Sequence, residues 1–205
     1  MLWPGILKTA AFIFVAPLLG MALGALIMLI VSWIFFRQPT RRVDRWFRRV
    51  QLFSSAAYSL GHGGNDAQKT MGVIWLLLIA NGITTADRLP TWVVMSCFLA
   101  MGVGTMFGGW RIVKTMGQRI TKLKPVGGFA AEAAGSITLF MATHFGIPVS
   151  TTHTITGAIM GVGTTGGTAN VRWAVAGNIV IAWLLTIPSS AAIAALAWWI
   201  GGAFM

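Results

Sequence analysis

The sequence predicts an all-α integral membrane protein with broken helices, and three observations carry that expectation. Of 205 residues, 56% are hydrophobic and 9% charged, whereas soluble domains carry about 25% charged residues. Apolar runs such as "TAAFIFVAPLLGMALGALIMLIVSWIFF" (9–36) exceed the roughly 20 residues needed to cross a bilayer, and they recur along most of the chain. The net charge of +11 is concentrated: six arginines lie between Arg37 and Arg49 and five basic residues between Arg111 and Lys124, eleven of the fifteen Lys and Arg. This is the positive-inside pattern, which puts both connections in the cytoplasm. It argues for membrane lipid and against nucleic acid as a partner. The 37–49 segment can lie along the anionic inner leaflet, with Trp46 and Phe47 dipping into the interface.

Taken in order, the spacing predicts a first helix over 7–36 that tolerates Pro17, as membrane helices can. The basic connection 37–49 follows. A second segment, 50–83, is expected to break near 61–66. The external turn "TTADRLP" leads to a helix over 91–110, then the second basic connection, 111–124. Two apolar pieces, 128–145 and 149–165, are hinged at "FGIPVSTTH" as a re-entrant or paired-helix hairpin. A final helix covers 171–200 and contains Pro188. If the hairpin returns to its starting side, both termini face outward. Aligning Pro17 with Pro188 matches 12–26 with 180–199, an internal similarity between the first and last helices. No cleavable signal is expected, because the first apolar run is too long and lacks a basic leader.

The chemistry concentrates at two stretches. "GHGGNDAQKTMG" (61–72) places polar residues ten residues, about 15 Å of helix, beyond Gln51 and therefore near the bilayer midplane. Three glycines permit a backbone break there, and Asn65 or Asp66 can cap the half-helix that resumes near Ala67. An intramembrane aspartate costs about 2.5–3.5 kcal/mol and calls for a partner. Lys69 supplies one reading, a helical ion pair. A coupling cation supplies another. In "GIPVSTTHTITG" (146–157), Gly146 and Pro148 end one piece, and Ser150, Thr151 and Thr152 open the next. Hydroxyls above the free N–H groups of a helix start form an anion site, or simply cap the helix. Broken helices meeting at the midplane are the build of secondary transporters. An oxyanion held there would be repelled by Asp66 unless a sodium ion or proton neutralised it, which is the physical root of symport.

These two motifs, in this order and about 85 residues apart, resemble the paired signatures of the inorganic phosphate transporter (PiT) family. In that family each of two inverted repeats carries a glycine-rich Asn-Asp motif and a Pro-x-Ser-Thr-Thr-His-like motif. The resemblance implies that Asn65 and Asp66 bind phosphate and the coupling cation, and that Ser150, Thr151 and Thr152 hold phosphate oxygens. Gln68 and Thr154, one turn from the motif centres, are further cation ligands. The family builds one central site from both repeats, and this chain shows one copy of each motif. It is therefore expected to be the second, C-terminal repeat: 1–36 the closing helix of an absent repeat, 37–49 a cytoplasmic connection, 50–205 the repeat itself. The implied function is symport of inorganic phosphate on a Na+ or H+ gradient, in a bacterial inner (plasma) membrane, with a first-repeat half or subunit as partner. The alternatives are a sulfate or other tetrahedral oxyanion permease of the same fold, or a non-transporting fragment or assembly subunit.

The remaining candidates are weaker. Glu132 in "GGFAAEAAGSITLF" can bind a cation, form a gating pair with a basic residue, or lie at headgroup level, and Lys69 is the other gating candidate. His153 can titrate with substrate or pack as a neutral histidine. His62 and His144 lack metal-ligand spacing, so no metal site is expected. Cys97 reads as a small core residue. "GVGTMFGG" (102–109) reads as small-residue helix packing, without the lysine of a phosphate-binding loop. No nucleophile, base and orienter occur as a set, so no enzyme and no cofactor beyond the coupling ion are expected.

Overall fold

In the computed structural model of this chain, residues 3–202 are described, and no strand occurs among them. Two compact units form, one ending at Val171 and one starting at Arg172. The first holds α1 (Trp3–Ile34), α2 (Thr40–Ala80), α3 (Thr91–Lys114), a π-helical stretch (Thr115–Ile120), α4 (Pro125–His144), α5 (Thr151–Thr165) and a 3-10 turn (Thr168–Asn170). The second holds α6 (Trp173–Gly202), a 30-residue apolar helix with Pro188 inside it. Stretches Leu7–Ile34, Thr91–Gly109, Pro125–His144 and Trp173–Gly202 are long and apolar enough to cross a bilayer, and the chain is an all-helical membrane protein.

α2 corrects the expected break. It runs unbroken for 41 residues, about 60 Å at 1.5 Å per residue. Gly61, Gly63 and Gly64 stay helical, and neither Asn65 nor Asp66 caps a half-helix. The energetics explain why. A glycine inside a helix costs about 1 kcal/mol relative to alanine, whereas each backbone group freed within a bilayer costs several. α2 also begins at Thr40, directly after Pro39, so most of the 37–49 connection is helical. Trp46 is exposed as expected, but Phe47 is buried. Its ring packs edge-on against Phe35 and Phe129, with centroids 5.3 and 5.1 Å apart.

The expected hairpin is present as α4 and α5. α4 starts with Pro125 at its first position, where the missing N–H is harmless. It ends in a Schellman motif: Gly146 has φ +61, Gly146 N–H donates to Thr143 O and Ile147 N–H to Ala142 O. Ser150 then caps α5, its hydroxyl accepting from His153 N–H at 3.4 Å. Ile147 and Val149 anchor the connecting loop by burying with Ala16, Leu139 and Ala142.

Small-residue packing occurs, but not where expected. Gly102, Gly104 and Gly108 of α3 face open space. The close approach is between α1 and α5 instead: a Cβ on Gly157 would strike Pro17 O, one on Gly161 would strike Met21 O, and one on Gly20 would lie 2.5 Å from Thr154 O. Paired glycines four apart on both helices bring the backbones together. Pro17 has no N–H to give the carbonyl of Ile13. The ring of His153 on α5 lies near that carbonyl, which places this histidine beside a group that the proline leaves open.

Candidate functional site

One polar stripe organises the site. Gln51, Ser54, Tyr58, His62, Asn65, Asp66 and Lys69 recur every three or four residues along α2, which places them on one helix face. Because the helix is unbroken, this face presents a continuous polar surface to α4, α5 and their loop.

Asp66 is the hub. Its Oδ1 lies 2.7 Å from Lys69 Nζ. Its Oδ2 accepts from Thr151 Oγ1 at 2.9 Å and lies 3.3 Å from His62 Nδ1. Lys69 also donates to Val149 O at 2.8 Å, pinning the hairpin loop to α2. The helical ion pair therefore exists, and it does more than offset charge, since the same lysine crosses to the second motif. Tyr58 adds another tie, donating to Thr151 O at 3.3 Å while its ring stacks on His62 with centroids 6.0 Å apart.

Asn65, 5% exposed, donates through Nδ2 to Thr143 Oγ1 at 3.4 Å. Its Oδ1 is buried and accepts no hydrogen bond. A buried acceptor without a donor costs free energy unless something fills it. Asn65, Gln68 and Lys69 line a cavity of about 230 Å³ with Thr143, Gly146, Ile147 and Pro148. The side-chain amides of Asn65 and Gln68 are the oxygen donors that line this cavity, a type of ligand that hard cations take, while Asp66 is not among its lining residues.

The hydroxyl motif divides in its roles. Ser150 caps α5, Thr151 reaches Asp66, and Thr152 is exposed. Thr154 is fully buried, and its hydroxyl donates to Ser150 O at 3.0 Å, so the structure ties it to the α5 backbone and not to Asp66. The first α5 hydrogen bond runs from Thr154 N–H to Ser150 O. The N–H groups of Thr151 and Thr152 precede it, at the positive end of the helix.

Glu132 sits in a separate cluster further along the stripe. Its carboxylate accepts from Ser54 Oγ at 2.6 Å and Gln51 Nε2 at 3.2 Å. Among the described residues it has no basic partner. It faces a cavity of about 560 Å³ lined by α2, α4, α5 and the π-helical stretch, with Lys124 at the rim. Gly128 and Gly135 of α4 make room for Gln51 and Tyr58 respectively.

Tyr58, His62, Thr143, Gln51 and Ser54 were not picked out from sequence as site residues. The three-to-four spacing from Gln51 to Lys69 was the available signal, and it passes straight through the glycines. Thr143 carries no such signal, since only the packing of α4 on α2 brings it to Asn65.

The model of the phosphate transporter family matches residues 1–194. A "Probable low-affinity inorganic phosphate transporter" of Rhizobium meliloti (strain 1021) is 57% identical over 195 residues, covering 95% of this chain and 58% of that protein. One of the same description from Bacillus subtilis (strain 168) is 41% identical over 199 residues, covering 97% and 60%. Among solved structures, "The sodium-dependent phosphate transporter" aligns with a TM-score of 0.70 and 25% identity, over 97% of this chain and 58% of that one. The chain thus spans about three fifths of the length of these proteins. The matched relatives are described by transport and not by catalysis.

Proposed function

This chain belongs to the phosphate transporter family, and from that premise we propose that it carries half of the site of a sodium-coupled inorganic phosphate symporter. The observation that carries the reading is the bond from Thr151 to Asp66, which joins the anion-suited start of α5 to the intramembrane carboxylate. Phosphate oxygens are held by Ser150, Thr151 and Thr152 with the first N–H groups of α5, and by Asn65. Asp66, which Lys69 balances in this arrangement, repels phosphate once that pair opens, so a cation on Asp66 and the unpaired Asn65 Oδ1 makes each ligand favour the other. Sodium is assigned as that cation because the solved neighbour is named for sodium dependence. Gln68 borders the same cavity, while the buried, already bonded Thr154 holds the α5 backbone. Lys69 acts as a latch, and Glu132 is a second acidic station on the same α2 face.

Three stretches of chain complete the picture. Residues 1–36 are the closing helix of an absent repeat, 37–49 lie in the cytoplasm, and 50–205 form the second repeat in an inner membrane. The first repeat comes from another segment or subunit. The test is phosphate uptake into proteoliposomes by this chain with and without a first-repeat partner, under imposed sodium and pH gradients. Uptake only with the partner and the sodium gradient supports the reading. Uptake driven by the pH gradient alone would replace sodium by protons, and preference for sulfate would replace the substrate.

A further inference from the structure

We propose that the groove between the end of α1 and the start of α2 is a binding site for the headgroup of an anionic phospholipid. The groove has a volume of about 300 Å³ and is lined by Ile34, Phe35, Gln38, Arg42, Val43 and Trp46. Its walls are apolar except at one end, where Arg42 donates to Gln38 Oε1 at 3.4 Å. An acyl chain against a guanidinium-bound phosphate has this division of chemistry.

Charge points to the same occupant. Arg41, Arg42, Arg45, Arg48 and Arg49 are all exposed, and at 100° per residue they fall within an arc of about 120° on α2. Val43 and Phe47 occupy the opposite side and pack inward with Val31 and Val126. With Arg37, six arginines face one acidic residue of the segment, Asp44. No ion pair to any of the six is found among the described residues. Such a cluster repels itself unless an outside anion joins it, and guanidinium groups match phosphate in a two-pronged geometry.

The level in the membrane selects lipid over a soluble anion. Trp33 and Phe36 are each 83% exposed and Trp46 60%. Aromatic side chains left open beside arginines belong at the headgroup boundary. The positive-inside bias sets that boundary in the cytoplasmic leaflet, where anionic lipids attract basic segments. Trp46 lies at the edge of the arginine arc, where a headgroup and its chain would meet.

The test is native mass spectrometry of the full chain, released from nanodiscs that contain phosphatidylglycerol and phosphatidylcholine. We expect retained phosphatidylglycerol, and a loss of affinity of roughly fivefold per arginine removed. The triple variant Arg41→Gln, Arg42→Gln, Arg45→Gln should therefore bind about a hundredfold more weakly, with circular dichroism unchanged. Arg42→Gln alone, a single surface change, reads the same effect at about fivefold if the triple variant fails to fold. Trp46→Ala leaves every charge in place and should still weaken retention severalfold. Equal retention by the arginine variants, or displacement of the lipid by inorganic phosphate, overturns the site. An unaltered affinity in Trp46→Ala reduces it to diffuse adsorption on the arginine face and overturns the groove.

Discussion

Thr151 donates its hydroxyl to Asp66 across 2.9 Å, joining residues 85 positions apart. That single bond fastens the first turn of α5 to the middle of α2, so the two chemistry-bearing motifs form one surface. With Lys69 reaching Val149 O at 2.8 Å, the α5 end of the loop between α4 and α5 is held by two bonds to α2.

Asp66→Asn should abolish sodium-coupled phosphate uptake in the assembled transporter while leaving membrane insertion intact. The substitution removes a costly intramembrane charge and keeps an acceptor for Thr151. Uptake assays alongside a membrane-fraction blot check both halves. Wild-type uptake with unchanged sodium dependence would remove Asp66 from the coupling role.

Ser150→Ala with Thr151→Val should raise the half-saturation constant for phosphate by one to several orders of magnitude. Hydrogen bonds to a charged ligand are worth about 1.5–3 kcal/mol each. Loss of the Ser150 cap costs the fold about 0.5–2 kcal/mol, which folded protein should survive. If expression collapses while the surviving protein keeps its affinity, the hydroxyls are structural.

Lys69→Met should free the hairpin loop. The variant keeps length and apolar bulk but loses both the Asp66 pair and the bond to Val149 O. Amide exchange over residues 146–150 should rise at least tenfold, measured by mass spectrometry in detergent. Unchanged exchange there would show that the buried side chains of Ile147 and Val149 hold the loop without the lysine.

The hairpin was readable because its signals are local: Gly146 supplies the positive φ, Pro148 follows the helix end, and Ser150 caps the next helix. The continuity of α2 is hidden in its motif, because three clustered glycines look like a break when taken by themselves. The competing signal, polar residues at helical spacing from Gln51 to Lys69, requires a window longer than the motif. The α1–α5 contact carries no local signal, since Gly20 and Gly24 meet Thr154 and Ala158, and Gly157 and Gly161 meet Pro17 and Met21, only through the tertiary fold. For His153 the sequence admits both titration and packing, and only the fold sets it beside the Ile13 carbonyl that Pro17 leaves unmatched.

Two alanine substitutions should separate these glycines by role. Gly157→Ala sets a methyl against Pro17 O, a backbone atom that cannot swing aside, and should destabilise by about 1–3 kcal/mol or more. Gly63→Ala meets nothing within 4 Å and sits inside an unbroken helix, where alanine is favoured by about 1 kcal/mol. Thermal unfolding in detergent should therefore move in opposite directions for the two variants. A strongly destabilised Gly63→Ala would restore the break in α2.

The chain should insert in one orientation, with 37–49 and 111–124 on the cytoplasmic side. The two stretches share a face if α2 crosses the membrane as α3 does, since two crossings return the chain to the face it left. Eleven of fifteen Lys and Arg fall on that face, while the outer turn near residue 88 offers the single Arg88. The bias acts most strongly on short connections like these. Dual topology needs nearly balanced charge, so an antiparallel homodimer cannot supply the missing repeat, and a lone chain should show no sodium-driven uptake. Single cysteines in a Cys97→Ser background test the orientation. Thr40, Thr85 and Lys122 are exposed and suit labelling. An impermeant maleimide should reach the cysteine at Thr85 only from outside, and those at Thr40 and Lys122 only from the cytoplasmic face. Comparable labelling of the latter two from both faces would establish dual topology and return the homodimer as the source of the second half-site.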